Sequence, residues 1–214
     1  MFETCTNLGT RKSEMLTLKK IHLPANGVAK HIFLIPRQQD DPEDPRRRRR
    51  LRGKTKERRV PLMDPNLLSS ILAYRDLAPP VGRNDARFTT PYLFVTVAGE
   101  PIASSTADHI ITQIGWYAAR LAAGEETLNK YARAQMKESL LGLTWHRLRH
   151  TWAEFAALRL YEKYREGATA ILKEWGGWNS EESVQRYIEN ARRLISDRAA
   201  REYLSSYVQE DVKR

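Results

Sequence analysis

The spacing of apolar residues along this chain changes at Asp64: it alternates in short runs before that point and turns helical after it. Leu8, Met15, Leu16 and Leu18 predict a turn followed by a helix or helix end over residues 8 to 19. Ile21 and Leu23 then alternate with polar neighbours, Pro24-Ala25-Asn26-Gly27 supplies a turn, and His31 to Ile35 reads as a return strand. That pattern predicts a β-hairpin over 19 to 36. Val60-Pro61-Leu62 predicts a third short strand, at an edge because Pro61 has no N–H to give to a ladder. Beyond Asp64, a plausible N-cap, Pro65 opens a helix carrying Leu67, Leu68, Ile71, Leu72 and Arg75 at helical spacing. Residues 79 to 91 read as a Pro/Gly loop, and Tyr92 to Val97 as a short apolar segment before a Gly turn. Ser104 or Ser105 caps a helix through Ile110, Ile111, Ile114, Tyr117 and Leu121, and further helices follow at about 146–164, 168–175, 180–190 and 192–208. The predicted fold class is α+β, mostly α, with a small three-stranded antiparallel sheet near the N-terminus. There is no internal repeat.

A length of 214 residues predicts one domain, and 41% hydrophobic residues suffice for a core. Cys5 is the single cysteine, so no intramolecular disulfide forms, and a reducing, intracellular setting is expected. No apolar run approaches the ~20 residues that span a bilayer. The N-terminus has neither a basic nor an apolar leader segment.

The net charge of +10 is local. Residues 46 to 59 hold eight Arg, two Lys and one Glu, or +9, which leaves about +1 for the rest. Such a patch draws a polyanion by coulombic steering and counterion release. Arg46, Arg47, Arg48, Arg49, Arg50, Arg52, Lys56, Arg58 and Arg59 are therefore the candidate contacts to such a polyanion, and a solvated run or a localisation tag without a specific partner is the alternative. Asp40, Asp41, Glu43 and Asp44 sit directly before the run, where they partly neutralise it. Residues 37 to 53 as a whole read as a flexible basic insertion.

The helix after Thr144 carries the clearest chemistry. Leu148, Trp152, Phe155 and Arg159 share one face, and the first three are expected to bury it. His146 and Arg149 are three apart and point the same way on the neighbouring face. A guanidinium fork donates to two phosphate oxygens at once, and an imidazole donates to another or accepts a proton. Alone, His-x-x-Arg is more often simply the wet side of an amphipathic helix.

Thr144-Trp145-His146-Arg147-Leu148-Arg149-His150-Thr151 resembles the His-x-Leu-Arg-His box of the tyrosine recombinases, phage-integrase-like enzymes that cut and rejoin DNA. Gly176-Gly177-Trp178 is similar to that family's Leu-Gly-His box, in which Trp is an accepted third residue. Tyr187, in Val184-Gln185-Arg186-Tyr187, stands at the spacing of the family's nucleophile, and Asn179 with Glu182 is expected to cap its helix. Leu8-Gly9-Thr10-Arg11-Lys12-Ser13-Glu14-Met15-Leu16 resembles the first arginine box. Gly53-Lys54-Thr55-Lys56-Glu57-Arg58-Arg59-Val60-Pro61-Leu62 resembles the hairpin lysine box, with spacing one residue shorter than in many members. The five boxes come in the family's order over nearly the whole chain. Residues 1 to 208 then form the catalytic domain and 209 to 214 a tail. Only ten residues precede Arg11, where the family has further helices and a DNA-clamping domain. The chain therefore reads as a truncated gene product, a fragment or an unusually reduced member, marginally stable and with part of its core uncovered.

The resemblance implies strand transfer through a 3′-phosphotyrosyl intermediate. Tyr187 attacks, Arg11 and Arg149 bracket the nonbridging oxygens, and His146 assists proton transfer. Lys54, with Lys56 as the alternative, protonates the departing 5′-oxygen, and Trp178 donates its indole N–H. Glu14 orients Arg11, and His150 packs beside the site. A free tyrosine titrates near ~10, so a cationic surround is needed. No metal, nucleotide cofactor, membrane or small-molecule substrate is implied. Double-stranded DNA is the partner, with self-association on it, in the cytoplasm at the nucleoid. The apolar stripe Leu194, Ile195, Tyr203, Leu204, Tyr207 and Val208 packs on its own domain or on a neighbouring protomer. An inactive DNA-binding remnant and a type IB topoisomerase-like enzyme are the alternatives. A non-DNA interaction protein requires that Arg11, Arg149 and Tyr187 not converge.

Overall fold

The computed structural model describes residues 1–23, 32–35, 44–46, 57–62, 64, 66–77, 90–96, 98–124 and 129–211. They fall into two compact units, Met1–His150 and Thr151–Arg214.

The first unit begins with helix α1 (Phe2–Leu8), which buries Thr4, Cys5 and Leu8. Gly9 ends it in the left-handed region, at φ 57, and its N–H returns to the Cys5 carbonyl at 3.0 Å. A Cβ is strained there, so glycine is the natural stop. Helix α2 (Lys12–Leu16) follows at once, buries Glu14, Met15 and Leu16, and has Arg11 as its N-cap residue.

The sheet has two strands among the described residues. β1 (Ile32–Ile35) runs antiparallel to β2 (Arg58–Pro61), with Phe33 opposite Val60 and Ile35 opposite Arg58. The expected strand through Ile21 and Leu23 is instead a 3-10 turn over Lys20–His22 that leaves Ile21 82% exposed. The three-stranded sheet is thus not formed there. Lys19 pairs with Tyr92 in an isolated bridge, and Leu93 donates to the Leu18 carbonyl at 2.8 Å.

Helix α3 (Asn66–Leu77) starts as expected: the Asp64 carboxylate accepts the Asn66 N–H at 2.9 Å, and Leu67 and Ile71 are buried. Helix α4 (Ser104–Ala123) has Ala103, not a serine, at its N-cap. It buries Ala107, Ile111, Gly115, Ala119 and Ala122, while Tyr117 and Leu121 face out. The stretch between α4 and the His-x-x-Arg box, for which the sequence pattern names no element, holds helix α5 (Lys130–Leu141), capped by the Asn129 side chain on the Ala132 N–H at 2.9 Å. Helix α6 (Trp145–Tyr164) carries that box and runs on into the second unit.

In the second unit α6 buries Trp152, Ala153, Ala156, Ala157 and Leu160, but Phe155 is exposed, against expectation. Helix α7 (Ala168–Gly176) buries Ala168 and Leu172. Helix α8 (Glu182–Asp211) is continuous where two helices are expected. Val184, Tyr187, Ile188 and Ala191 are buried at i, i+3, i+4 and i+7, one face of that helix. Leu194 is exposed and Ile195 half-buried, so the expected stripe is not closed at its start; the side chains of Tyr203, Leu204, Tyr207 and Val208 lie outside the described residues. Among the described residues no helix is long and apolar enough to cross a membrane.

Candidate active site

In the first unit a single carboxylate binds two arginines and carries the negative charge that acts on a third. Glu14 is buried in α2, and the Arg11 N–H donates to its Oε2 at 2.7 Å while Arg11 Nη1 donates to Oε1 at 3.1 Å. Arg58 then grips the same carboxylate with both prongs, Nη1 to Oε1 at 2.5 Å and Nη2 to Oε2 at 2.8 Å. Strand alternation explains Arg58: it lies two residues before buried Val60, so both face inward while Arg59 faces out. The expectation that Arg58 is a surface DNA contact is corrected by this, since its side chain is only 2% exposed and bound to Glu14.

Arg149 is buried in the first turns of α6, and its Nη1 donates to the Gly9 carbonyl at 2.5 Å. The left-handed turn at Gly9 thus both ends α1 and presents an acceptor to the second arginine of the expected pair. Burial, then the neighbouring charges of Arg11 and Arg58, push Arg149 down to about 9. Burial would raise the Glu14 carboxyl, but the hydrogen bonds and charge of Arg58, with Arg11 and Arg149, hold it down to about 2. Three cations around one carboxylate leave an excess of positive charge, the electrostatic condition for holding an anion.

That charge borders a cleft of about 420 Å³ lined by Arg11, Lys12, Ser13, Asp108, Thr144, Trp145, His146 and Arg149. His146 is exposed on its wall, with its ring 4.2 Å edge-on from that of His150. Arg11, His146 and Arg149 therefore meet in one cleft. Lys12 closes one side by pairing with Asp108 at 2.8 Å. Trp145 sets the start of α6: it is buried, and its indole N–H donates to the Ala107 carbonyl at 3.1 Å. The sequence pattern assigns no role to Lys12, Asp108 or Trp145; the place of Trp145 beside the His-x-x-Arg box is the one signal available. Cys5 is a packing residue, its thiol bonded to the Thr10 carbonyl at 3.2 Å and pushed up to about 12 by burial.

In the second unit, Trp178 and Tyr187 come together. Gly177 takes a left-handed φ of 63 after α7, and the Trp178 N–H reaches back to the Lys173 carbonyl at 3.0 Å. This closure lays the Trp178 ring over Gly176, where a Cβ would fall inside the indole. Trp178 stacks on Trp152 at 6.2 Å and meets the Tyr187 ring at 5.9 Å. Gly176→Ala is therefore expected to displace Trp178 and lower stability by about 1–3 kcal/mol in a urea melt. An unchanged midpoint would contradict this placement. Instead of an Asn179 cap, the first turn of α8 is closed by the Val184 and Gln185 N–H groups on the Glu181 carbonyl.

Of the basic run, Arg46 is also held inside. It donates to Asp44 at 2.7 Å and to the Leu16 and Ile102 carbonyls, and lies 4.8 Å over the Tyr92 ring. This corrects its reading as a DNA contact, while the neutralising role of Asp44 appears in that pair. Arg59 is exposed. Lys54, Lys56, Arg47, Arg48, Arg49, Arg50 and Arg52 lie outside the described residues. Among the described residues no cluster of His, Cys, Asp and Glu has the makings of a metal site.

No protein-family model and no curated protein matches the sequence. Solved structures do match. The Tn1549 transposon integrase in complex with transposon right end DNA gives a TM-score of 0.53 at 14% identity, over 93% of this chain and 57% of that one. The same integrase with a circular intermediate DNA gives 0.55 at 15% identity, over 92% and 57%. XerH site-specific recombinase, bound to palindromic difH substrate in a post-cleavage complex, gives 0.54 at 17% identity, over 93% and 44%. The chain thus spans 44% to 57% of the length of the proteins it matches. The fold of this chain is similar to that of the tyrosine recombinases.

Proposed function

We propose that the chain is the catalytic part of a site-specific DNA recombinase or integrase that cleaves and rejoins DNA through a 3′-phosphotyrosyl intermediate. The observation that carries this reading is the cleft in which Arg11, His146 and Arg149 meet beside a buried carboxylate with surplus positive charge around it. Such a site suits a phosphodiester whose charge grows during displacement. The likeness in fold to proteins solved on DNA supports the same substrate.

In this mechanism the Tyr187 oxygen forms a bond to phosphorus as the P–O5′ bond breaks. Arg11 and Arg149 hold the nonbridging oxygens. His146 takes the tyrosine proton or donates to the phosphate, Lys54 or Lys56 supplies a proton to the leaving 5′-oxygen, and Trp178 donates its indole N–H. The bond energy is kept in the phosphotyrosine, so rejoining is the reverse attack. Glu14 is the anchor of Arg11, and Arg59 with the arginines of 47 to 52 holds the DNA backbone. Self-association on DNA belongs to this reading. Covalent trapping on nicked duplexes tests it: an SDS-stable protein–DNA band that vanishes in Tyr187→Phe is expected.

A further inference from the structure

Arg186, the residue before Tyr187, folds its guanidinium back over its neighbour. Its carbon lies 4.6 Å from the centre of the Tyr187 ring, and its Nη2–H donates to the Tyr187 oxygen at 2.6 Å. Adjacent side chains on a helix point about 100° apart, so this contact is not a by-product of helix geometry. Arg186 is exposed while Tyr187 is buried at 3%, so the cation reaches inward to the oxygen. A guanidinium has donors and no acceptor. The Tyr187 oxygen is therefore the acceptor, and its own O–H proton points out of this bond. A hydrogen bond from a cation is stronger to a charged oxygen than to a neutral one.

We propose that Arg186 is a positioning residue for strand transfer, fixing the Tyr187 oxygen and favouring the charge that develops on it as it attacks. In that step the Tyr187 O–H bond breaks and its proton passes to a general base. The freed electron pair forms the O–P bond, and the P–O5′ bond breaks with its pair on the departing oxygen, which takes up a proton. This role rests on Tyr187 being the nucleophile.

Two readouts on the full chain separate the role from that reading. The first is the Cζ resonance of Tyr187 in protein carrying labelled tyrosine, assigned by its loss in Tyr187→Phe. Arg186→Ala is expected to displace that line, and an unmoved line overturns the proposal whether or not any adduct forms. The second is adduct formation on a nicked duplex. Arg186→Ala is expected to slow it roughly 10- to 100-fold at saturating duplex. The duplex Kd is expected to stay as in the wild type, and Arg186→Lys to recover part of the rate. A wild-type rate in Arg186→Ala overturns the proposal and leaves the strand-transfer reading intact. A folded, DNA-bound wild type that forms no adduct overturns both.

Discussion

Replacing Glu14 by alanine is expected to destabilise the chain by about 3–5 kcal/mol, read as a fall in the urea midpoint. The Glu14 side chain is fully buried and that of Arg58 is 2% exposed, so removing the carboxylate strands a buried guanidinium. Arg149 loses a compensating anion at the same time, since the Glu14 charge raises it against Arg11 and Arg58. Domains of this size hold only about 5–15 kcal/mol in total, so the loss is a large fraction of it. The acid dependence has a definite sign. The Glu14 carboxyl is depressed from 4.5 to about 2 in the folded chain. Its contribution is present above about 4.5 and is lost as pH falls from there through about 2. Glu14→Gln is expected to remove that part of the acid sensitivity. A variant that melts like the wild type would mean that Glu14 does not anchor the arginines.

Arg149→Met is expected to separate function from stability. Methionine keeps much of the buried stem without the charge. Arg149 is depressed from 12.5 to about 9 because burial, Arg11 and Arg58 all disfavour its charge. At neutral pH, below that folded value, the fold carries the full cost, which is relieved only as pH rises through about 9 towards 12.5. The buried charge therefore carries a folding cost, and the loss of the hydrogen bond to Gly9 stands against the gain from removing it. The variant is expected to be no less stable than the wild type. Adduct formation is expected to fall roughly 10²- to 10³-fold, the usual effect of deleting a transition-state donor. A large loss of stability would identify Arg149 as a structural residue. Retained adduct formation would remove it from the mechanism.

Much of the helical architecture is legible in the sequence, because caps and long apolar periods are local signals. Asp64 marks the start of α3, and the box around His146 lies at the start of α6, as read. The errors share a cause. In α4 and α6 the buried faces include Ala107, Ala119, Ala122, Ala153, Ala156 and Ala157, whose small size gives little hydrophobic signal. Larger residues, Tyr117, Leu121 and Phe155, draw the eye to the wrong face and are exposed. Ile21 and Leu23 alone are too short a run to separate a strand from the 3-10 turn that forms.

At the site, Arg11 and Glu14 are readable from their spacing of three, and Arg149 from its box. The partner that defines Glu14 is not, because Arg58 lies 44 residues away inside a basic run and looks like its neighbours. Its distinguishing mark is strand alternation with Val60, which only the strand assignment of Arg58 itself would expose. Arg46 is hidden in the same way, its identity as an internal arginine fixed by two backbone carbonyls from distant segments.

The most direct measurement is covalent trapping. The purified chain is incubated with nicked duplexes made from the DNA flanking its own gene, and SDS-stable adducts are resolved beside Tyr187→Phe. A band is expected in the wild type, none in the variant, and a phosphonucleotide on the peptide that contains Tyr187. No band from a chain shown to be folded and bound to the duplex would contradict it and leave a DNA-binding protein without strand-transfer activity.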